Sequence, residues 1–230
     1  MRNIKPICVM SENGVEDLQL NAVLDGIHEM LRLARVDHLV KVEVLRAPQP
    51  KSLTDETVVP HETADFYVRQ GRERSSRKEQ ANATVILDAL LELPQGTVLL
   101  SRPNHPHYHV LVLRTDIYQD EITFVVGLAY PEWGMVLSVS RFSGLDSEKQ
   151  AGCIQTATMH EIAHVFMVPA PGRKENIKDS LGRHCTNDGC LMRQGLCVPK
   201  DWLSMTRDRL RTGAPLCSDC LCDLRRYFSE

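Results

Sequence analysis

No window of the sequence approaches the roughly 20 apolar residues that a bilayer-crossing helix needs, and the opening MRNIKPICVM carries no apolar run of signal-peptide length. A membrane partner is not expected, and the expected compartment is the cytoplasm. An excess of charge of one sign is missing too: 27 Lys and Arg against 30 Asp and Glu leave a net charge of -3, which gives no global field to attract a phosphate backbone. Nucleic acid is therefore not an expected partner. The basic run at 69–78, RQGRERSSRK, contains Glu73 and no aromatic residue, and reads as a solvated surface loop. Internal repeats and low-complexity segments are also absent. What remains is an ordinary globular composition, 43% hydrophobic and 25% charged, in a chain of 230 residues, enough for one generous domain without disulfide staples.

Residues 4–10 are a short apolar run that predicts an opening strand, and 15–36 then place Leu18, Leu20, Val23, Leu24, Ile27, Leu31 and Leu33 at helical spacing. A further strand is predicted at 42–45. This order predicts a βαβ unit and a sheet that is at least partly parallel. The polar stretch 47–77, with Pro48, Pro50 and Pro60, predicts a long irregular connection, and 79–93 a helix closed by Pro94 and Gly96. Runs rich in Val, Ile and Leu at 97–100, 110–114, 122–129 and 135–140 read as strands, the last two forming a hairpin across 130–134. The strongest helix spans 146–168: Asp146 or Ser147 can cap it and Pro169 must stop it. Beyond it the chain reads as irregular and cysteine-rich, with one helical stretch around 201–210.

Inside the strongest helix lies HEIAH, residues 160–164. Residues four apart share a helix face, so His160 and His164 can present two imidazoles to one metal ion. Glu161 points close to the same place without being a ligand. A carboxylate there can take a proton from an attacking water and pass it to a leaving amine, while the metal polarises the scissile carbonyl. HExxH fixes only three residues and recurs by chance, so its surroundings decide its meaning.

Those surroundings hold cysteines. In a reducing compartment the eight cysteines read as metal ligands or buried apolar residues rather than as a disulfide framework. Four residues lie between Cys185 and Cys190, and two between Cys217 and Cys220, which makes two paired arms of the kind that close a tetrahedral structural zinc. Cys222 is close enough to compete with Cys220, and Cys197 could replace one of the first pair. Cys8 and Cys153 fall in predicted core elements and read as packing residues. The other concentration of histidines, His105-Pro-His107-Tyr-His109, has no carboxylate or cysteine beside it and is assigned no ligand role.

HEIAH at 160–164, His184-Cys185-Thr-Asn-Asp-Gly-Cys190-Leu-Met192 and Cys217-Ser-Asp-Cys220 together resemble the archaemetzincin family of metzincin-clan metallopeptidases. The family pattern runs HExxHxxGxxHC, four residues, CxM, a spacer, then CxxC. Upstream, Thr115-Asp116-Ile117-Tyr118, Phe124-Val-Val-Gly127-Leu-Ala129 and Val136-Leu-Ser138-Val-Ser-Arg141 are similar to the strands that precede the active helix, so the resemblance covers roughly the last half of the chain. It implies an α/β metzincin-like domain, a mixed twisted sheet with packed helices and a cysteine-rich, zinc-stapled C-terminal part. One domain would span 1–230, with an N-terminal subdomain at 1–168 ending in the active helix and a C-terminal subdomain at 169–230. The resemblance also implies two zinc ions: a catalytic one on His160, His164 and His184 with Glu161 as general base, and a structural one on Cys185, Cys190, Cys217 and Cys220. Met192 would be the Met-turn residue beneath the catalytic site.

Met167 and Ala170 stand where the pattern has its Gly and third His. Between His164 and His184 lie 19 residues where the pattern has five, so 14 are additional. Loop closure grows only logarithmically with length, and Cys185 can anchor His184 at the catalytic metal. The inserted residues are expected to cap or narrow the substrate cleft. The expected function is thus a zinc metallopeptidase acting on peptide or protein substrates. The alternative is a catalytically silent, zinc-stapled binding domain on the same scaffold. A zinc-ribbon nucleic-acid module has the acidic balance against it, and oligomeric state is not legible.

Overall fold

Strand β1 (Ile7–Ser11), helix α1 (Asp17–Ala34) and strand β2 (Val42–Leu45) make the βαβ unit expected from the sequence, with β1 and β2 parallel and Ile7 opposite Val42. The structure, a computed structural model, describes residues 4–45, 63–77, 79–91, 107–120 and 122–229. The strand predicted at 97–100, Lys78, His105 and 46–62 of the expected connection lie outside the described residues. Helix α1 starts where Glu16 and Gln19 hydrogen-bond each other's backbone and ends at Arg35, in the left-handed region at φ 64°.

Helix α2 (Ala64–Glu73), the short strand β3 (Ala81–Asn82) and helix α3 (Ala83–Leu90) lead to β4 (Tyr108–Leu113) at the centre of the main sheet. There follow β5 (Ile117–Gln119), β6 (Ile122–Val125), β7 (Gly127–Tyr130) and β8 (Gly134–Ser138). The main sheet has the order β2-β1-β4-β8-β7, parallel except for the β7/β8 hairpin at one edge, and β3, β5 and β6 form a second, three-stranded sheet. Strands β4 and β8 are apolar almost throughout, as strands covered on both faces must be. Val110, Val112, Met135 and Leu137 join the core beneath α1, while Leu111, Leu113 and Val136 join a second core with Ala64, Val68, Ile86 and Leu87 from α2 and α3. The period of two along each strand thus divides the side chains between two layers of helix.

Helix α4 (Ser147–Val165) is capped by the Asp146 carboxylate, which accepts from the Lys149 N–H at 3.0 Å. It lies against α1, where a Cβ on Gly26 would fall 2.8 Å from the Gln155 carbonyl oxygen, so only glycine permits that approach. The helix ends before the predicted residue 168. Met167 turns left-handed at φ 58°, Met167 N–H bonds the His164 carbonyl and Val168 N–H the Ala163 carbonyl. This is the Schellman arrangement, with Met167 in the position that glycine usually fills, and it is where the family pattern places its Gly. Strands β9 (Ile177–Asp179) and β10 (Arg183–Cys185) form a hairpin, and α5 (Lys200–Thr212) and α6 (Ser218–Ser229) complete the chain. Among the described residues no helix is long and apolar enough to cross a membrane.

The expected α/β architecture with a mixed sheet stands, and besides the end of α4 four local expectations are corrected. The polar connection contains α2, whose buried residues Ala64, Val68 and Gly71 are a stripe too thin to stand out from RQGRE. The helix expected from residue 79 starts at Ala83, where the Asn82 side chain caps it, after the short strand β3. The single strand expected at 122–129 is two, one pairing with β5 and the other with β8, because the division lies in which sheet each half joins and not in any turn residue. The irregular C-terminal part contains the β9/β10 hairpin and α6, whose inward face of Cys220, Leu224, Tyr227 and Phe228 begins with a cysteine that reads as a ligand.

Candidate functional site

The last two turns of α4 bring His160, Glu161 and His164 to one place, and β10 brings His184 opposite them. The three histidines offer nitrogen atoms that all lie within 4.8 Å of one another. The Nε2 atoms of His160 and His164 are 3.1 Å apart. The His160 and His184 rings stack at 25°, with the His164 ring near-perpendicular to both. His160 Nδ1 donates to the Leu191 carbonyl at 2.9 Å and His184 Nδ1 to the Gly182 carbonyl at 3.2 Å. A carbonyl can only accept, so in each neutral ring Nε2 carries the lone pair.

Burial sets the charge of this site. It lowers His160 to about 3, with the neighbouring His184 adding to the effect, and it also pushes down His164 and His184. Burial thus keeps all three rings neutral, and a neutral ring can offer one lone-pair nitrogen to a cation. The donor set therefore fits a divalent cation held by neutral imidazoles. Burial also pushes Glu161 up to about 8.

Glu161 owes its position to a residue that sequence reasoning passed over. A Cβ on Gly127 in β7 would fall 2.5 Å from Glu161 Cγ, so the edge strand lies directly on the carboxylate side chain. Trp202 of α5 was also missed; its ring meets His160 edge-on at 5.4 Å between centroids. Nothing in the periodicity marks either residue, since both act through contacts between distant elements. A cavity of about 530 Å³ opens over the site. Gly127, Leu128 and Ala129 of β7, Met167, Pro171 and Leu181 from the chain after α4, and Glu161 with the three histidines all line it.

Cys185, Cys190, Cys217 and Cys220 form a second group, their sulfur atoms within 4.8 Å of one another. Cys185 and Cys217 have their sulfurs 3.8 Å apart, too far for a disulfide. It is roughly the 3.8 Å edge of a tetrahedron with metal–sulfur bonds of about 2.3 Å. Backbone N–H groups of Asn187 and Cys217 donate to the sulfurs of Cys185 and Cys190. Hydrogen bonds, that from Cys220 before those from the Cys217 and Met192 backbone, hold the Cys190 thiol below its ordinary range. Burial pushes Cys185 up to about 11. Cys197 and Cys222 are exposed and outside the group, and Cys8 and Cys153 are buried in the core.

His184 and Cys185 are neighbours on β10, so one short strand serves both groups. Met192 is fully buried, and its carbonyl accepts from the Cys185 N–H at 2.8 Å. The His107 and His109 rings meet at a tilt of 58°, 4.2 Å between centroids, and belong to neither group.

No protein-family model and no curated protein matches the chain. Among solved structures it is similar to archaemetzincin from Methanopyrus kandleri, with a TM-score of 0.60 and 21% identity over 100% of this chain and 99% of that one. It is also similar to archaemetzincin from Archaeoglobus fulgidus, solved in complex with malonate, with a TM-score of 0.56 and 21% identity over 95% of this chain and 99% of that one. The described residues have the archaemetzincin fold, including those of the N-terminal half that the sequence motifs do not reach.

Proposed function

We propose that this chain is a zinc-dependent metallopeptidase with two zinc ions, one held by His160, His164 and His184 and the other by Cys185, Cys190, Cys217 and Cys220. The observation that carries this reading is the convergence of three buried imidazoles beside one buried carboxyl in the lining of a single cavity of about 530 Å³. Zinc bound there would polarise a scissile carbonyl and lower the pKa of a bound water to around 7. Glu161 takes a proton from the attacking water and delivers it to the leaving amine. Leu191 and Gly182 hold the rings of His160 and His184 in place through their carbonyls. Strand β7 is the edge of the five-stranded sheet and borders the cavity, so an extended peptide can pair with it by adding a strand. That edge favours a peptide or protein substrate.

Metal analysis of reductively purified protein tests the ligand assignment. Two zinc per chain are expected, falling to one in His184→Ala or showing a clear loss of affinity at one site. One zinc in both proteins would sink the three-histidine site. Gly127→Ala tests how Glu161 is positioned: the added methyl must displace that side chain, and a misplacement of about 1 Å can cost on the order of 100-fold in rate. The expected result is a fall in kcat of that order with zinc content unchanged; an undiminished kcat would show that β7 does not set the carboxylate.

A further inference from the structure

The residues between α4 and β10 are the stretch that the archaemetzincin pattern lacks, and they are not loosely attached. Ala170 N–H donates to Asp223 Oδ2 at 3.0 Å, and Asn176 Nδ2 to Asp219 Oδ2 at 3.0 Å, both acceptors lying on α6. Between these ties Arg173 turns inward. Its Nη1 is 2.9 Å from Asp223 Oδ2, with side chains only 11% and 5% exposed, and its Nη2 donates to Cys220 Sγ at 3.2 Å. The Arg183 guanidinium bonds the Ala170 and Arg173 carbonyls and so braces the turn from the β10 side. The same stretch supplies Pro171 at its near end and Leu181 and Gly182 at its far end to the cavity lining.

A guanidinium buried this deeply needs negative charge around it. Asp223 supplies one unit, and Arg173 Nε is left buried with no hydrogen-bond acceptor among the described residues. Four thiolates around a divalent cation carry a net charge of about -2 by simple count, and the sulfurs stay good acceptors for N–H donors. The inserted stretch thus carries the positive group that such a centre requires.

We infer that Arg173 is a positioning residue that fastens the inserted segment to the four-cysteine centre, so that forming the centre sets one wall of the substrate cavity. The inference rests on the proposal that these cysteines hold zinc. The latch works in both directions. The guanidinium steadies the thiolate cluster, and the cluster holds the segment carrying Leu181 against the cavity.

The test compares zinc-loaded wild type with Arg173→Met and Arg173→Lys by two readouts that do not depend on catalysis. Chelator competition, with cobalt(II) as a probe whose sulfur-to-metal charge-transfer band reports the cysteine centre, gives the metal affinity of that site. Cleavage by a Lys-specific protease after the exposed Lys174 and Lys178 reports how firmly the segment is held. Arg173→Met is expected to weaken metal binding at the cysteine centre by about 10–100-fold, the usual cost of losing an outer partner of a metal site. It is also expected to speed cleavage at both lysines with zinc still bound. Arg173→Lys keeps the charge and the Asp223 pairing, should fall between the two, and carries the test alone if Arg173→Met does not fold. Stripping zinc from wild type should expose the same two lysines. Equal affinity and equal cleavage in all three proteins would overturn the latch. Absence of the charge-transfer band from wild type would overturn the zinc reading of the cysteines and the latch with it.

Discussion

Glu161→Gln is expected to lower kcat/KM for peptide hydrolysis by about 10²–10⁴-fold, the usual worth of a positioned general acid–base group, with both zinc ions still bound. Glutamine keeps the shape of the side chain against Gly127 and removes the oxygen that can accept a proton. Burial pushes the carboxyl up to about 8, which would suit the proposed role of taking a proton and later releasing it near neutral pH. Zinc should be retained because Glu161 is outside the group of converging donors, whereas His160, His164 and His184 are within it. The measurement is steady-state hydrolysis of a peptide library alongside metal analysis of the same preparations. Equal activity in both proteins would remove Glu161 from its role, and loss of metal would make it a ligand instead. A wild-type chain that binds two zinc ions yet cleaves nothing in the library would favour the silent binding domain.

Much of this site is legible in the linear sequence because its parts are local. His160, Glu161 and His164 sit within two turns of one helix, and His184 and Cys185 are adjacent, so helix period and residue type suffice to nominate them. The choice among six C-terminal cysteines was left open and depends on the fold: Cys222 stands two residues beyond Cys220 on α6 and is exposed, while Cys220 turns inward to the other three sulfurs. Gly127 and Trp202 were invisible for a different reason, since each matters through a contact across more than 30 residues of chain that no pattern encodes. The same holds for the fold. The βαβ unit shows a clear period in α1 and α4 is marked by its cap at Asp146 and by Pro169, whereas α2 hides its three inward residues in a polar stretch and the 122–129 run splits between two sheets only through its pairing partners. Met167 is the clearest departure from the family pattern. A methionine occupies a left-handed helix end that favours glycine, and the backbone hydrogen bonds of the cap form around it all the same.

Cys190→Ser is expected to damage more than the centre to which it belongs. Removing one of four ligands should weaken zinc at the cysteine centre by more than the 10–100-fold that an outer partner is worth, and apparent stability should fall with it, because the free energy of binding a structural zinc is folding free energy. The effect should then reach the histidines through the backbone. Leu191, the residue after Cys190, holds His160 Nδ1 through its carbonyl and donates its own N–H to the Pro215 carbonyl at 2.7 Å. Cys185, in the same cluster, is the residue after His184 and bonds Met192 through its N–H. One collapsed centre therefore loosens two of the three imidazoles at once, one at the carbonyl that fixes its tautomer and the other at its strand. Metal analysis of Cys190→Ser should find the histidine site weakened as well as the cysteine site emptied, with a matching loss of peptide hydrolysis and a lower Tm in zinc-supplemented buffer. Cys222→Ser, exposed and outside the cluster, should keep both zinc ions and full activity. If Cys190→Ser instead emptied the cysteine centre and left the histidine site and kcat unchanged, the two centres would be independent. The 14-residue insertion would then have to hold His184 in place through the β9/β10 hairpin alone.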